Sequence, residues 1–402
     1  MGSHEQGGAG AAARPFNFLS RFRCLSARVP WQAVGIFAGW WLALQSFAVL
    51  AFFRFQLTEP DFAYGWTSQI RGMLPLHWQG FIALHARFDS GFYGTIAQQG
   101  YTAQSASFLP FYPLLIRLGL SGVCAPLQAL PIACSDMGVA FVISNVAALS
   151  AVLVLYKLAR LDCDGEHASR GVFYFLIFPS AFFLTAAYSE SVFVVLAASS
   201  LLAARRRWWA AAIMAAMLAM LTRATGLCLF AALVVEWRAA RPWRDLRWLW
   251  LLAIPAAFVA FEAYLQAQGL SFFATEQQIF KRAPLNFGAL EANLDWEHVL
   301  AHPEAQVNLA LDLTLAAFVF LVSAVGAWRV RLSYGVYGAL CVLLPLSSGQ
   351  VLGLDRFALS AFTAPIILAR IAGSWFDRLY TLAAILLLAI YTILFVQGYW
   401  AG

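Results

Sequence analysis

WQAVGIFAGWWLALQSFAVLAFF, residues 31–53, holds no charged side chain. As a helix it would reach about 34 Å, enough to cross a hydrocarbon core of about 30 Å. Arg14, Arg21, Arg23 and Arg28 precede it, which assigns that end to the cytoplasm. The run is too long for a signal-peptide core and reads as an uncleaved anchor. Residues 1–13, MGSHEQGGAGAAA, are small and polar, so residues 1–29 read as a disordered cytoplasmic N-terminus.

The same character fills the rest of the chain. Of 402 residues, 62% are hydrophobic and only 11% charged, which excludes an ordinary soluble domain. Further apolar runs follow at 131–158, 171–187, 191–204, 208–222, 226–237, 248–268, 307–328, 334–347, 357–369 and 379–395. The prediction is an all-α polytopic membrane protein of about eleven transmembrane helices, one domain over 30–402. Two long outer loops, 54–107 and 269–306, interrupt it. Residues 108–120, with Pro110 and Pro113, are too short to span and read as a re-entrant or surface segment.

Charge supports this order. The outer side keeps Arg54, Arg71, Arg87, Arg117, Arg223, Lys281, Arg282 and Arg356, while the other basic residues fall inside. The net charge of +6 therefore reflects orientation, and no nucleic-acid partner is predicted. Arginine far outnumbers lysine beside abundant alanine, which points to a GC-rich genome and a bacterium. The six cysteines form neither CxxC nor zinc spacing. His298 and His302 stand at i, i+4, but Pro303 and a loop setting argue against a metal, and none is predicted.

Short spans sink the turns between them below the membrane surface, which favours a polar hollow on the outer face. Ionisable residues there are costly and tend to be functional. The candidates are Asp89, in RFDSGFYGTIAQQGY (87–101); Tyr188, Ser189 and Glu190; Arg223, in LTRATG (221–226); Lys281 and Arg282; and Arg356, in LGLDRF (352–357). Arg87, Tyr93 and Tyr101 join them as substrate contacts. Each has a plainer reading. Asp89 could pair with Arg87, Arg356 with Asp355, and Glu190 could face a helix dipole. Arg223 could snorkel.

Four stretches, in this order, resemble GPI mannosyltransferase 2 (the PIG-V family) and its bacterial relatives of the GT-C class. They are RFDSGFYGTIAQQGY, FLPFYPLL (108–115), FPSAFFLTAAYSES (178–191) and LTRATG. LGLDRF is a weaker match. Phe88 stands where the family usually has Trp. The resemblance implies a GT-C-like fold and a polyprenyl- or dolichyl-phosphate sugar donor, usually mannose. It implies inverting transfer on the extracytoplasmic or luminal face to a glycolipid or glycan acceptor, with Asp89 as general base. The membrane would be the plasma membrane in a bacterium and the endoplasmic reticulum in a eukaryote.

The residues agree with that chemistry. A carboxylate can take the acceptor hydroxyl's proton, with Glu190 a second candidate beside Asp89. Arginines can receive the departing lipid phosphate: Arg223 and Arg356 first, then Lys281 and Arg282. No cofactor is required, and a divalent cation stays open. The alternatives are a lipid-sugar transporter or flippase and a non-catalytic subunit of a glycosylation complex.

Overall fold

A computed structural model describes residues 30–55, 77–124, 135–242, 244–294, 307–349, 351 and 353–400. The expected disordered N-terminus and the His298–His302 pair lie outside them. Among the described residues every regular element is helical. In chain order these are α1 Trp31–Arg54, α2 Trp78–His85, α3 Asp89–Gln99, α4 Phe111–Gly119, α5 Asp136–Ala159, α6 Gly165–Leu176, α7 Glu190–Arg205 and α8 Trp209–Met220. Then come α9 Cys228–Ala240, α10 Ala253–Gln266, α11 Phe272–Ile279, α12 Phe287–Asn293, α13 Val307–Arg329, α14 Leu332–Leu346, α15 Leu354–Ser360, α16 Thr363–Ile371 and α17 Ser374–Val396.

Among the described residues, five helices are long and apolar enough to cross a membrane: Trp31–Arg54, Asp136–Ala159, Leu246–Gln266, Asn308–Arg329 and Ser374–Val396. Trp209–Met220 and Leu332–Leu346 are apolar but shorter. Two expected spans differ from a single rod. The 171–187 stretch stops being α-helical at Leu176, three residues before Pro179, because the residue before a proline is pushed out of the helical region. The chain then winds through a buried 3₁₀ turn, Ala181–Leu184. The 357–369 stretch is divided between α15 and α16, with the break at Ala361–Phe362. Residues 108–120 contain the amphipathic α4, whose Tyr112, Pro113 and Ile116 face inward.

Packing sets the two ends of the bundle apart. α7 lies against α5 and α8, α13 against α14, α6 against α16, and α1 against α17. At the C-terminal end of α7, Arg205 grips Asp162 with two hydrogen bonds of 2.7 and 2.9 Å. Tyr334 donates to the same carboxylate, Arg331 pairs with Glu236, and Arg370 reaches the Asp162 carbonyl. Basic residues that the sequence assigns to the inner side thus meet at one end. Glu190, which opens α7, lies about 22 Å away along the helix axis, counted at 1.5 Å per residue.

The turn between α8 and α9 depends on a close backbone approach. A Cβ on Gly226 would stand 2.4 Å from the Met220 Cα and nitrogen and 2.8 Å from the Ala219 carbonyl carbon. Those are backbone atoms and cannot swing aside. Gly226→Ala is therefore expected to destabilise the protein by about 1–3 kcal/mol or more. Thermal unfolding in detergent checks this, and an unchanged midpoint would show that the turn yields freely.

Candidate active site

Three helix starts and one turn meet at a point. α3 begins at Asp89 after an unusual backbone step: Phe88 has φ 44° and ψ −111°, a region that side chains avoid. Such a conformation costs on the order of 1–3 kcal/mol and persists only when its surroundings enforce it. The enforcement is visible. The Phe88 ring is buried against Phe395 and Trp400, with centroids 6.2 and 5.3 Å away. The last helix and the tail after it therefore aim the first acid.

α7 begins at Glu190, and α15 brings Arg356 one turn after Gly353. Gly353 has φ 82°, which glycine adopts without steric cost. Asp312 fixes this start by accepting from the Gly353 nitrogen at 2.9 Å and the Asp355 nitrogen at 3.3 Å. Arg223 follows α8 in the turn that Gly226 makes possible.

Arg356 is the hub. Its Nη1 donates to Asp89 Oδ2 at 2.7 Å. Its Nε and Nη2 reach Glu190 Oε1 at 2.9 and 2.8 Å. The guanidinium also lies 4.8 Å from the Phe183 ring centre and 4.9 Å from that of Tyr188. Arg223 Nη1 donates to the same Glu190 oxygen at 2.6 Å. Asp89 thus pairs with Arg356 rather than Arg87, and Arg356 with Asp89 and Glu190 rather than Asp355. The reason is direction: Arg87 points away and donates to the Val396 carbonyl, 3.1 Å distant.

A cavity of about 500 Å³ opens beside this cluster. Asp89, Tyr93, Arg223, Glu276, Arg282 and Arg356 contribute its polar wall, and side chains such as Phe108, Phe273 and Leu344 its apolar wall. Glu190 is not among the lining residues and is 1% exposed. It sits behind the arginines, with their donors on one of its oxygens. Ser189 accepts or donates in a 2.9 Å bond with Tyr93, and Tyr188 donates to the Arg87 carbonyl. Tyr101 donates to the Phe108 carbonyl. Lys281, which has φ 55°, turns outward and donates to the Gln278 carbonyl. Arg87, Tyr101, Tyr188, Ser189 and Lys281 therefore brace the site's surroundings and do not line the cavity.

Glu276, Phe357 and Trp400 also line the cavity, and none of them is among the site residues that the sequence suggests. The available signal for Glu276 was an acid inside an aromatic stretch, FFATEQQIF (272–280). Burial pushes its carboxyl up from the usual range, the Arg282 charge opposes this, and the Asp89 charge adds to it. Burial pushes the Arg282 guanidinium down, with Glu276 opposing. Carboxylates and guanidinium groups on one wall, beside an apolar chamber, can activate a hydroxyl and hold an anionic lipid headgroup.

Residues 67–241 match the model of the family described as mannosyltransferase (PIG-V). No curated protein matches the sequence significantly. One similar solved structure is the archaeal oligosaccharyltransferase AglB from Archaeoglobus fulgidus, in complex with an inhibitory peptide and a dolichol-phosphate. Identity is 16% and the TM-score 0.34, over 89% of this chain and 55% of that one, and this likeness carries no weight for the fold. The resemblance read from the motifs is borne out by the family match: the chain carries the mannosyltransferase (PIG-V) pattern, that of a glycosyltransferase, over the segment supplying Asp89, Glu190 and Arg223.

Proposed function

We propose that this protein is a membrane-embedded inverting glycosyltransferase. It moves a sugar, mannose by the family match, from a polyprenyl or dolichyl phosphate to a hydroxyl of a glycolipid or glycan. The observation that carries the reading is the Asp89–Arg356 pair at 2.7 Å on the wall of a largely apolar cavity, beside Arg223 and Arg282. In the reaction the acceptor oxygen attacks the anomeric carbon from the face opposite the phosphate. Its proton passes to Asp89 as the new C–O bond forms. The old bond from the anomeric carbon to the phosphate oxygen breaks, and its electron pair leaves with the lipid phosphate. Arg223 and Arg282 receive that growing charge, and Arg356 fixes the base. Glu190 serves as the buried counter-charge that holds Arg223 and Arg356, and not as a base. The apolar wall takes the first isoprene units, while the remaining tail lies among the lipids.

The reading includes eleven crossings, with the cavity on the outer face. The separation of the Asp162–Arg205 network from the Asp89–Arg356 cluster supports that orientation. So does the gathering of basic helix ends at the first of these.

The direct test supplies purified protein in detergent with polyprenyl-phosphate mannose and a membrane glycolipid extract. A mannosylated product and free lipid phosphate, seen by mass spectrometry, are expected. Movement of the sugar lipid across reconstituted vesicles with no covalent product would replace the enzyme by a transporter. Neither product nor movement would leave a non-catalytic subunit.

A further inference from the structure

Three guanidinium groups line the cavity, and they are not held alike. Arg356 and Arg223 are fixed to Glu190 by contacts of 2.6 to 2.9 Å. Arg282 stands apart: its nearest carboxylate oxygen, on Glu276, is 3.8 Å from Nη1, beyond hydrogen-bond reach. Its buried Nε has no hydrogen-bond partner, as is also true of the Arg223 Nε, so the loose carboxylate contact is what distinguishes it. Both Glu276 and Arg282 face the cavity.

The backbone beneath this pair is firm. The Arg282 nitrogen donates to the Glu276 carbonyl at 3.0 Å, and the Ala283 nitrogen to the Ser348 carbonyl at 3.1 Å. The Phe357 ring lies 5.5 Å from the Arg282 guanidinium and 5.6 Å from that of Arg223, so one aromatic ring touches both. Head groups that are loosely paired on a fixed backbone can exchange partners without moving the loop.

We propose that Glu276 is a displaceable counter-ion of Arg282, holding the guanidinium while no anion is bound and yielding it to the phosphate of the sugar lipid. Phosphate offers a hydrogen-bonded pair in place of the looser one at 3.8 Å, so the exchange is favourable. Loss of Arg282 leaves Glu276 buried, facing Asp89 from α3, with Arg223 and Arg356 already engaged by Glu190. Its carboxyl then takes up a proton, so binding of the anion consumes one proton and strengthens as pH falls.

Because this rests on the cavity taking a lipid phosphate, the test separates the two claims. The probe is a short-chain polyprenyl methyl phosphodiester, which carries one charge that does not titrate between pH 6 and 8. Binding to the full-length protein in detergent is measured by calorimetry at pH 6, 7 and 8. Wild type is expected to bind more tightly at pH 6 than at pH 8, and Asp89→Asn to keep a slope, shallower because one charge that favours proton uptake at Glu276 is gone. Glu276→Gln is expected to bind about 5- to 10-fold more tightly at pH 8 and to lose the slope. Arg282→Gln is expected to bind about tenfold more weakly, and adding Glu276→Gln to it should gain nothing. A purely structural Glu276 would leave the wild-type slope in place in the Gln variant, or give no slope at all. Either result overturns the counter-ion role. The wild-type pH series needs no variant, so a missing slope overturns the role even if Glu276→Gln fails to fold. In that case Arg282→Gln, which removes the partner that is exchanged, is expected to lose the slope, and a slope that persists there overturns the role as well. No binding by wild type at any pH would instead remove the lipid-phosphate reading of the cavity.

Discussion

Asp89→Asn is expected to slow sugar transfer by about 10²- to 10⁴-fold, the usual contribution of a positioned base. The amide keeps the shape of the side chain and can still accept from Arg356, but it cannot take a proton at neutral pH. Donor binding should change little, because Arg223 and Arg282 are the groups assigned to the phosphate. Stability should fall by only about 1–2 kcal/mol, since Arg356 keeps its two contacts with Glu190. The measurement is single-turnover transfer from polyprenyl-phosphate mannose, with thermal unfolding run on the same samples. Transfer at the wild-type rate would remove Asp89 from the chemistry.

The opposite pattern is expected for Glu190→Gln. Glu190 is buried and is the shared carboxylate of two guanidinium groups, at 2.6 Å from Arg223 and 2.8 Å from Arg356. Neutralising it leaves two cations near each other in a low-dielectric wall, with Asp89 as the remaining partner of one. Breaking a buried pair in this way typically costs about 3–5 kcal/mol. A large drop in the unfolding midpoint should therefore accompany loss of activity. The comparison discriminates between roles. A Glu190→Gln protein as stable as wild type but inactive, beside an active Asp89→Asn protein, would make Glu190 the base and Asp89 its support.

Much of the site was legible in the chain because membrane segments penalise stray charge. Asp89, Glu190, Arg223, Arg282 and Arg356 stood out as ionisable residues beside apolar runs, and the structure gathers them around one cavity wall. The partners were not legible. Arg87 lies two residues from Asp89, yet its side chain turns to the Val396 carbonyl, while Arg356 arrives from 267 positions further along. Glu276 is not legible in the sequence either, because one acid in a loop is ordinary until a cavity forms over it.

By itself the sequence determined that the chain is helical and membrane-borne, since 23 uncharged residues in a row have no comfortable place in water. Its motifs also pointed to the family. Only the tertiary structure decided which charges meet and which of them reach the cavity. Helix starts scattered along the chain converge in space, and there burial separates the acid that meets the cavity, Asp89, from the acid enclosed behind it, Glu190. That difference lies in which neighbours remove water from each carboxylate, a property of packing that no local stretch encodes.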